Sequence, residues 1–108
     1  MPKMITKTEI RKDIMSHSGL TLLKFKTNWS GTCQILEPVY NDLENAYQGT
    51  VRFYTIDVDN EKDLDKEFGI MELPTILFFK DGKLIDHAVG LTSRNILISK
   101  IENAISKN

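Results

Sequence analysis

The run LTLLKFKTNWSGTCQILEPVY, residues 20 to 40, joins a strand, a loop and a helix without a break. Leu20 to Thr27 is rich in Leu and Phe, with polar residues at period two, which predicts a strand. Beyond the loop, Leu36, Val39, Tyr40, Leu43, Ala46 and Tyr47 recur at three and four residues and form one apolar stripe of a long helix. Pro38 lies inside that stripe and predicts a kink, because it removes a backbone donor. Between strand and helix stands Trp29-Ser30-Gly31-Thr32-Cys33, which holds the only cysteine in the chain. A single cysteine excludes an intramolecular disulfide and any zinc site built from several cysteines.

Working outward, Thr6 and Glu9 have capping-box spacing. Ile10 and Ile14 then share one helical face, and Gly19 ends that helix. A short first strand fits near Met4 to Thr6. Gly49 closes the long helix, and Val51 to Val58 reads as the next strand. Asn60 is placed to cap a short helix that carries Leu64 and Phe68 and closes at Gly69. Thr75 to Lys80 and Lys83 to Val89 are strands joined by Asp81-Gly82, a strong hairpin signal. Thr92 or Ser93 caps a last helix with Leu97, Ile101, Ala104 and Ile105 as its buried stripe. The order predicts an α/β protein: a central mixed sheet of four to five strands with helices on both faces.

The chain has 108 residues and reads as one domain, 1–108. Apolar residues make up 41% and charged residues 27%, ordinary for a soluble globular protein. The net charge is −1 with both signs mixed along the chain, so neither a nucleic-acid patch nor a membrane-binding face is expected. Runs such as Ile76-Leu77-Phe78-Phe79 are too short to span a bilayer. The segment MPKMITKTEIRKD has no apolar signal-peptide core, which favours a cytoplasmic location. His17 and His87 lack ligand spacing to other donors. The acidic run Asp57-Val58-Asp59-Asn60-Glu61 lacks the glycine and terminal glutamate of a calcium loop and reads as strand end plus helix cap. No metal or cofactor is expected.

With WSGTC at the end of a central strand, this order resembles thioredoxin over almost the whole chain. The family's Trp-Cys-Gly-Pro-Cys corresponds to Trp29-Ser30-Gly31-Thr32-Cys33, and its helix proline to Pro38. Its Ile-Pro-Thr corresponds to Leu73-Pro74-Thr75, preceded by Phe68-Gly69-Ile70. Its Phe-Lys-Asn-Gly turn corresponds to Phe79-Lys80-Asp81-Gly82, and a glycine after the last strand to Gly90. The resemblance implies the thioredoxin fold and a cis bond at Leu73-Pro74. It also implies a groove for an extended peptide, lined by Trp29, Gly31, Thr32, Leu73, Pro74, Thr75 and Gly90. From the residues alone, Pro74 also reads as a strand-start proline, and Trp29 as a packing residue.

The positions of the family's two catalytic cysteines are Ser30 and Cys33 here. In the family, the first thiolate attacks a client disulfide and the second resolves the mixed disulfide. A serine hydroxyl forms no disulfide, so the two-cysteine cycle is closed to this chain. Ser30 also reads as a helix N-cap, accepting from the backbone N–H of Thr32 or Cys33. Cys33 reads either as a small buried apolar residue or as a one-sulfur site open to mixed-disulfide formation or oxidation. The resemblance places Lys24 where the family has a buried aspartate, and Thr55 where it has a lysine. Glu37, four residues after Cys33, shares its helix face. A Lys24–Glu37 ion pair beneath Cys33 is expected in place of the family's acid–base pair; the alternative is that Lys24 snorkels outward.

Two functions follow. One is a protein of thiol redox homeostasis with one-sulfur chemistry at Cys33, acting on client protein or peptide thiols and disulfides, with glutathione as a further partner. The other is a non-catalytic module that holds a peptide or partner in the proline groove. A monomer is expected, with a Cys33-linked dimer as the alternative.

Overall fold

A computed structural model describes residues 1–107. In chain order the elements are β1 (Lys3–Met4), α1 (Lys7–Ile10) with a π-wound continuation (Arg11–Met15), β2 (Leu20–Lys26), α2 (Gly31–Ala46), β3 (Val51–Asp57), α3 (Leu64–Glu67), β4 (Thr75–Lys80), β5 (Lys83–Val89) and α4 (Arg94–Ser106). The strands form one sheet in the order β1-β3-β2-β4-β5. β3 runs parallel to β1 and β2, whereas β4 runs antiparallel to β2 and β5. The parallel pair needs the α2 crossover; the antiparallel pair needs only the Asp81-Gly82 turn.

β2 lies in the middle of the sheet, and all seven of its residues are buried. Alternate side chains serve opposite faces. Leu20 and Leu22 join Leu36, Tyr40 and Leu43 of α2 and Leu97 and Ile101 of α4 in one core. Leu23 and Phe25 join Ile10, Ile14 and Leu64 in the other. By the same alternation Lys24 points to the α2 side, paired in register with Thr55 on β3 and Ile76 on β4.

Local chemistry accounts for most boundaries. The Glu9 carboxylate accepts from the Thr6 backbone N–H at 2.9 Å at the start of α1. In the hairpin turn, Asp81 and Gly82 have φ of 53° and 81°, the positive pair such a two-residue turn requires. Asp81 Oδ1 accepts from Gly19 N–H at 2.7 Å, which ties the hairpin to the end of the first helical segment. A Cβ at position 82 would overlap the Met15 carbonyl oxygen.

The cap of the short helix differs from the sequence reading. Asn60 caps no helix. The Asp57 carbonyl turns the chain by accepting from Asn60 and Glu61 N–H at 3.1 and 3.0 Å. α3 starts only at Leu64, after Asp63 in the left-handed region at φ 68°. Asp57 Oδ1 also accepts from the Asp59 N–H at 2.9 Å, so the turn after β3 is built on this aspartate and not on Asn60. At the last helix the cap is Ser93, which accepts from Ile96 N–H at 3.3 Å.

Candidate functional site

The carboxyl end of β2 delivers the chain to the start of α2, where Ser30 is the N-cap in extended conformation. Its Oγ accepts from the Cys33 backbone N–H at 3.3 Å. Ser30 Oγ also lies 2.8 Å from Thr32 Oγ1, and Thr32 Oγ1 donates to the Leu73 carbonyl at 3.3 Å. A carbonyl has no proton to return, so Thr32's single proton goes to Leu73 and Ser30 must donate to Thr32. The result is a directed chain from Cys33 N–H through two hydroxyls to the Leu73 carbonyl. It links the first turn of α2 to the segment that leads into β4.

That segment holds the other residues singled out in the sequence. The Leu73–Pro74 bond is cis, and Pro74 is buried. Thr75 Oγ1 donates to the Glu72 carbonyl at 2.6 Å. Gly90, at φ 74°, donates its N–H to the Pro74 carbonyl at 2.7 Å. Gly31 is exposed, with open space beside its Cα. Trp29 is 89% exposed, so it is not a packing tryptophan. Hydrogen bonds thus join Ser30 to Thr32 to Leu73 and, across the Leu73–Pro74 peptide bond, Pro74 to Gly90, with Trp29 standing free beside them.

Beneath the loop, Cys33 is only 2% exposed. Lys24 does not snorkel outward: its side chain has no exposed surface, and its Nζ lies 3.5 Å from Glu37 Oε2. The Glu37 side chain is 38% exposed. The ammonium position also lies 4.6 Å from the centroid of the Tyr40 ring, a cation–π distance. The approach to Glu37 has ion-pair length but not hydrogen-bond alignment, and among the described residues Lys24 Nζ makes no hydrogen bond. Burial pushes the Lys24 amine below its ordinary value, and the Glu37 carboxylate opposes that shift. Tyr40 is held well above the ordinary phenol range by burial. Its hydroxyl faces the Tyr54 and Leu22 carbonyls at 2.7 and 3.2 Å. Lys26, two residues along β2, is held by Asn28 Oδ1 at 2.6 Å and lies 3.8 Å from Asp57.

Sequence reasoning counted Tyr40 only as part of an apolar stripe. Its place seven residues after Cys33 on one helix face was the available signal. The Thr32–Leu73 bond had no local signal, because it joins positions 41 residues apart. Among the described residues no group of three His, Cys, Asp or Glu side chains is placed to hold a metal ion. No helix among them is long and apolar enough to cross a membrane.

The thioredoxin family model matches residues 1–103. The chain belongs to the thioredoxin family. A thioredoxin of Staphylococcus saprophyticus is 33% identical over 95 residues, covering 88% of this chain and 91% of that protein. A thioredoxin of Chlorobaculum thiosulfatiphilum is 30% identical over 100 residues, 93% of each chain. One of Rickettsia felis is 28% identical over 105 residues, 97% of this chain and all of that protein. The mixed five-stranded sheet with helices on both faces is the thioredoxin fold, and thiol redox chemistry is the functional class of the family. Within that family this chain has Ser30 and Cys33 at the ends of its Ser-Gly-Thr-Cys loop.

Proposed function

We propose that this chain is a one-domain thiol redox protein that works with the single sulfur of Cys33. The observation that carries this reading is the lone cysteine on the first turn of α2, with a serine three residues before it. In the reaction, the Cys33 thiolate attacks a disulfide R–S–S–R′. The Cys33–S–S–R bond forms and R′–S⁻ leaves. Ser30 has no sulfur with which to resolve that product, so a thiol on another molecule must do it. A second protein thiol or glutathione has the required chemistry. Trp29 and the Leu73-Pro74-Thr75 and Gly90 segments form the rim against which an extended client segment lies.

A second reading is favoured by the burial of Cys33: the rim alone binds a peptide or partner, and the sulfur is inert. Alkylation separates the two. One-sulfur chemistry requires Cys33 of the native protein to react with iodoacetamide; reaction only after unfolding supports the binding module. An insulin-reduction assay tests the rest. No two-cysteine turnover is expected from the native chain, and partial recovery from Ser30→Cys. Substantial turnover by the native chain would overturn the account.

A further inference from the structure

Glu72 stands directly before the cis Leu73–Pro74 bond, and it is exposed. Its side chain crosses to the segment after β5. A Cβ placed on Gly90 would overlap Glu72 Oε2, so the carboxylate is seated against the Gly90 backbone. It therefore lies between the two segments that flank the cis proline. Gly90 gives the carboxylate room but no counter-charge. Among the described residues Glu72 makes no salt bridge.

Glu72 also lines an open cleft of about 380 Å³, together with Phe68, Ile70, Met71, Leu84, His87 and Val89. Leu84, His87 and Val89 face it from β5, in register with Phe79, Leu77 and Thr75 of β4. On the other face of β5, Ile85 and Ala88 pack with Leu97 and Ile101 of α4. The cleft side is apolar yet open: Met71 is 99% exposed, Leu84 54% and Val89 52%. Glu72 and Thr75 bracket Leu73-Pro74, and Val89 precedes Gly90, so the cleft continues from the rim. Among the described residues its ionisable lining groups are Glu72 and His87 alone. The two lysines of β2 beneath the loop are already engaged. Lys26 is held by Asn28 and Asp57, and Lys24 is buried against Glu37. Asp59, also exposed, accepts from Thr27 two residues before Trp29. The free charge around the rim is thus negative.

We propose that Glu72 and this cleft form a subsite for a lysine or arginine side chain of the client segment. This rests on the reading of the Trp29, Leu73-Pro74-Thr75 and Gly90 rim as the surface that holds the client. Long cationic side chains lay an aliphatic stem on apolar surface and keep the charged head in water. Met71 and Val89 offer the stem its surface, and the Glu72 carboxylate offers the head its counter-charge. A client glutamate at the same place meets Glu72 as a like charge. Both partners of the pair stay at the surface, so the subsite contributes selectivity more than affinity.

The test titrates the full chain, followed by amide NMR, with end-blocked peptides Gln-Phe-Ala-X-Ser-X-Ala-Phe-Gln in which X is lysine, glutamine or glutamate. The serine stands in for the client cysteine, so binding is read without a covalent step. The lysine peptide should bind about threefold or more tighter than the glutamine peptide, the scale of an exposed ion pair. The glutamate peptide should bind weakest, and the amide shifts should gather at Met71, Glu72, Val89 and Gly90. Added salt should shrink the lysine preference. Glu72→Gln should bring the lysine-to-glutamine ratio to about one, and Glu72→Lys should reverse the order of the three peptides. Glu102→Gln removes an equal charge on α4, where Glu102 accepts from Tyr47, and should keep the native ratio. Rim binding with no preference for lysine would overturn the subsite and leave the rim reading standing. A preference lost equally in Glu102→Gln would overturn it too, by showing an effect of net charge alone. If no peptide moves the rim amides, the rim reading itself falls and takes this inference with it.

Discussion

Lys24 Nζ and the Glu37 carboxylate lie 3.5 Å apart across the β2–α2 contact, yet the lysine is fully buried and the glutamate 38% exposed. The pair is lopsided: the cation carries nearly all the desolvation cost, and the anion keeps much of its water. Removing the cation and removing the anion should therefore have opposite effects. Lys24→Met is expected to stabilise the fold by about 1–2 kcal/mol, since an apolar side chain suits the site. Glu37→Gln is expected to destabilise it by about 1–3 kcal/mol, by leaving the amine without its counter-charge. Urea denaturation of the three proteins at pH 7 checks both signs.

The same asymmetry sets a pH dependence. The folded Lys24 amine titrates below its ordinary value of 10.5. Between the folded and unfolded values the unfolded chain binds more protons, so stability rises with pH. The cost is fully present below the folded value and disappears above the unfolded one. Native protein should thus gain stability relative to Lys24→Met as pH rises towards 10.5. Denaturation midpoints of the two proteins at pH 7, 9 and 10 measure it; a constant difference would contradict the assignment.

The hydroxyl chain at the start of α2 makes a second set of expectations. Ser30→Ala removes the cap on Cys33 N–H and should cost about 1 kcal/mol. Thr32→Val keeps the shape but cuts the link to the Leu73 carbonyl, at about 0.5–1.5 kcal/mol. Because the two hydroxyls share one bond, the double variant should cost less than the sum. Thermal unfolding of the four proteins in the cycle reads the coupling; strict additivity would show that the chain does not act as a unit.

Tyr40 joins two strands through one atom. Its hydroxyl meets the Leu22 carbonyl of β2 and the Tyr54 carbonyl of β3. Tyr40→Phe keeps the ring under Lys24 and should cost about 1–3 kcal/mol. Hydrogen–deuterium exchange should locate the loss at the β2–β3 seam, not at the β4–β5 hairpin.

Gly82 tests the hairpin. Its φ of 81° and the Met15 carbonyl beside its Cα leave no room for a side chain. Gly82→Ala should cost about 1–3 kcal/mol from backbone strain alone, with further loss from the overlap. Thermal unfolding of the variant measures it, and a change under about 0.5 kcal/mol would mean that the turn relaxes freely.

The sequence by itself determined the order of the elements, the hairpin at Asp81-Gly82 and the cap at Ser30. Each depends on the period of nearby apolar residues or on a side chain within a few positions of the backbone group it serves. It also determined the chemistry that is absent, because a serine at position 30 forms no disulfide in any fold. The resemblance drew Lys24 and Glu37 together as a pair. Only the tertiary structure decided that Trp29 stands in solvent, that the Lys24 amine goes unbonded over Tyr40, and that Thr32 reaches Leu73. Those relations bring together groups from separate strands, helices and loops, and their burial depends on what the rest of the chain packs above them. Local pattern fixes what a residue can do; the packing of β2 against α2 fixes what surrounds Cys33 when it does it.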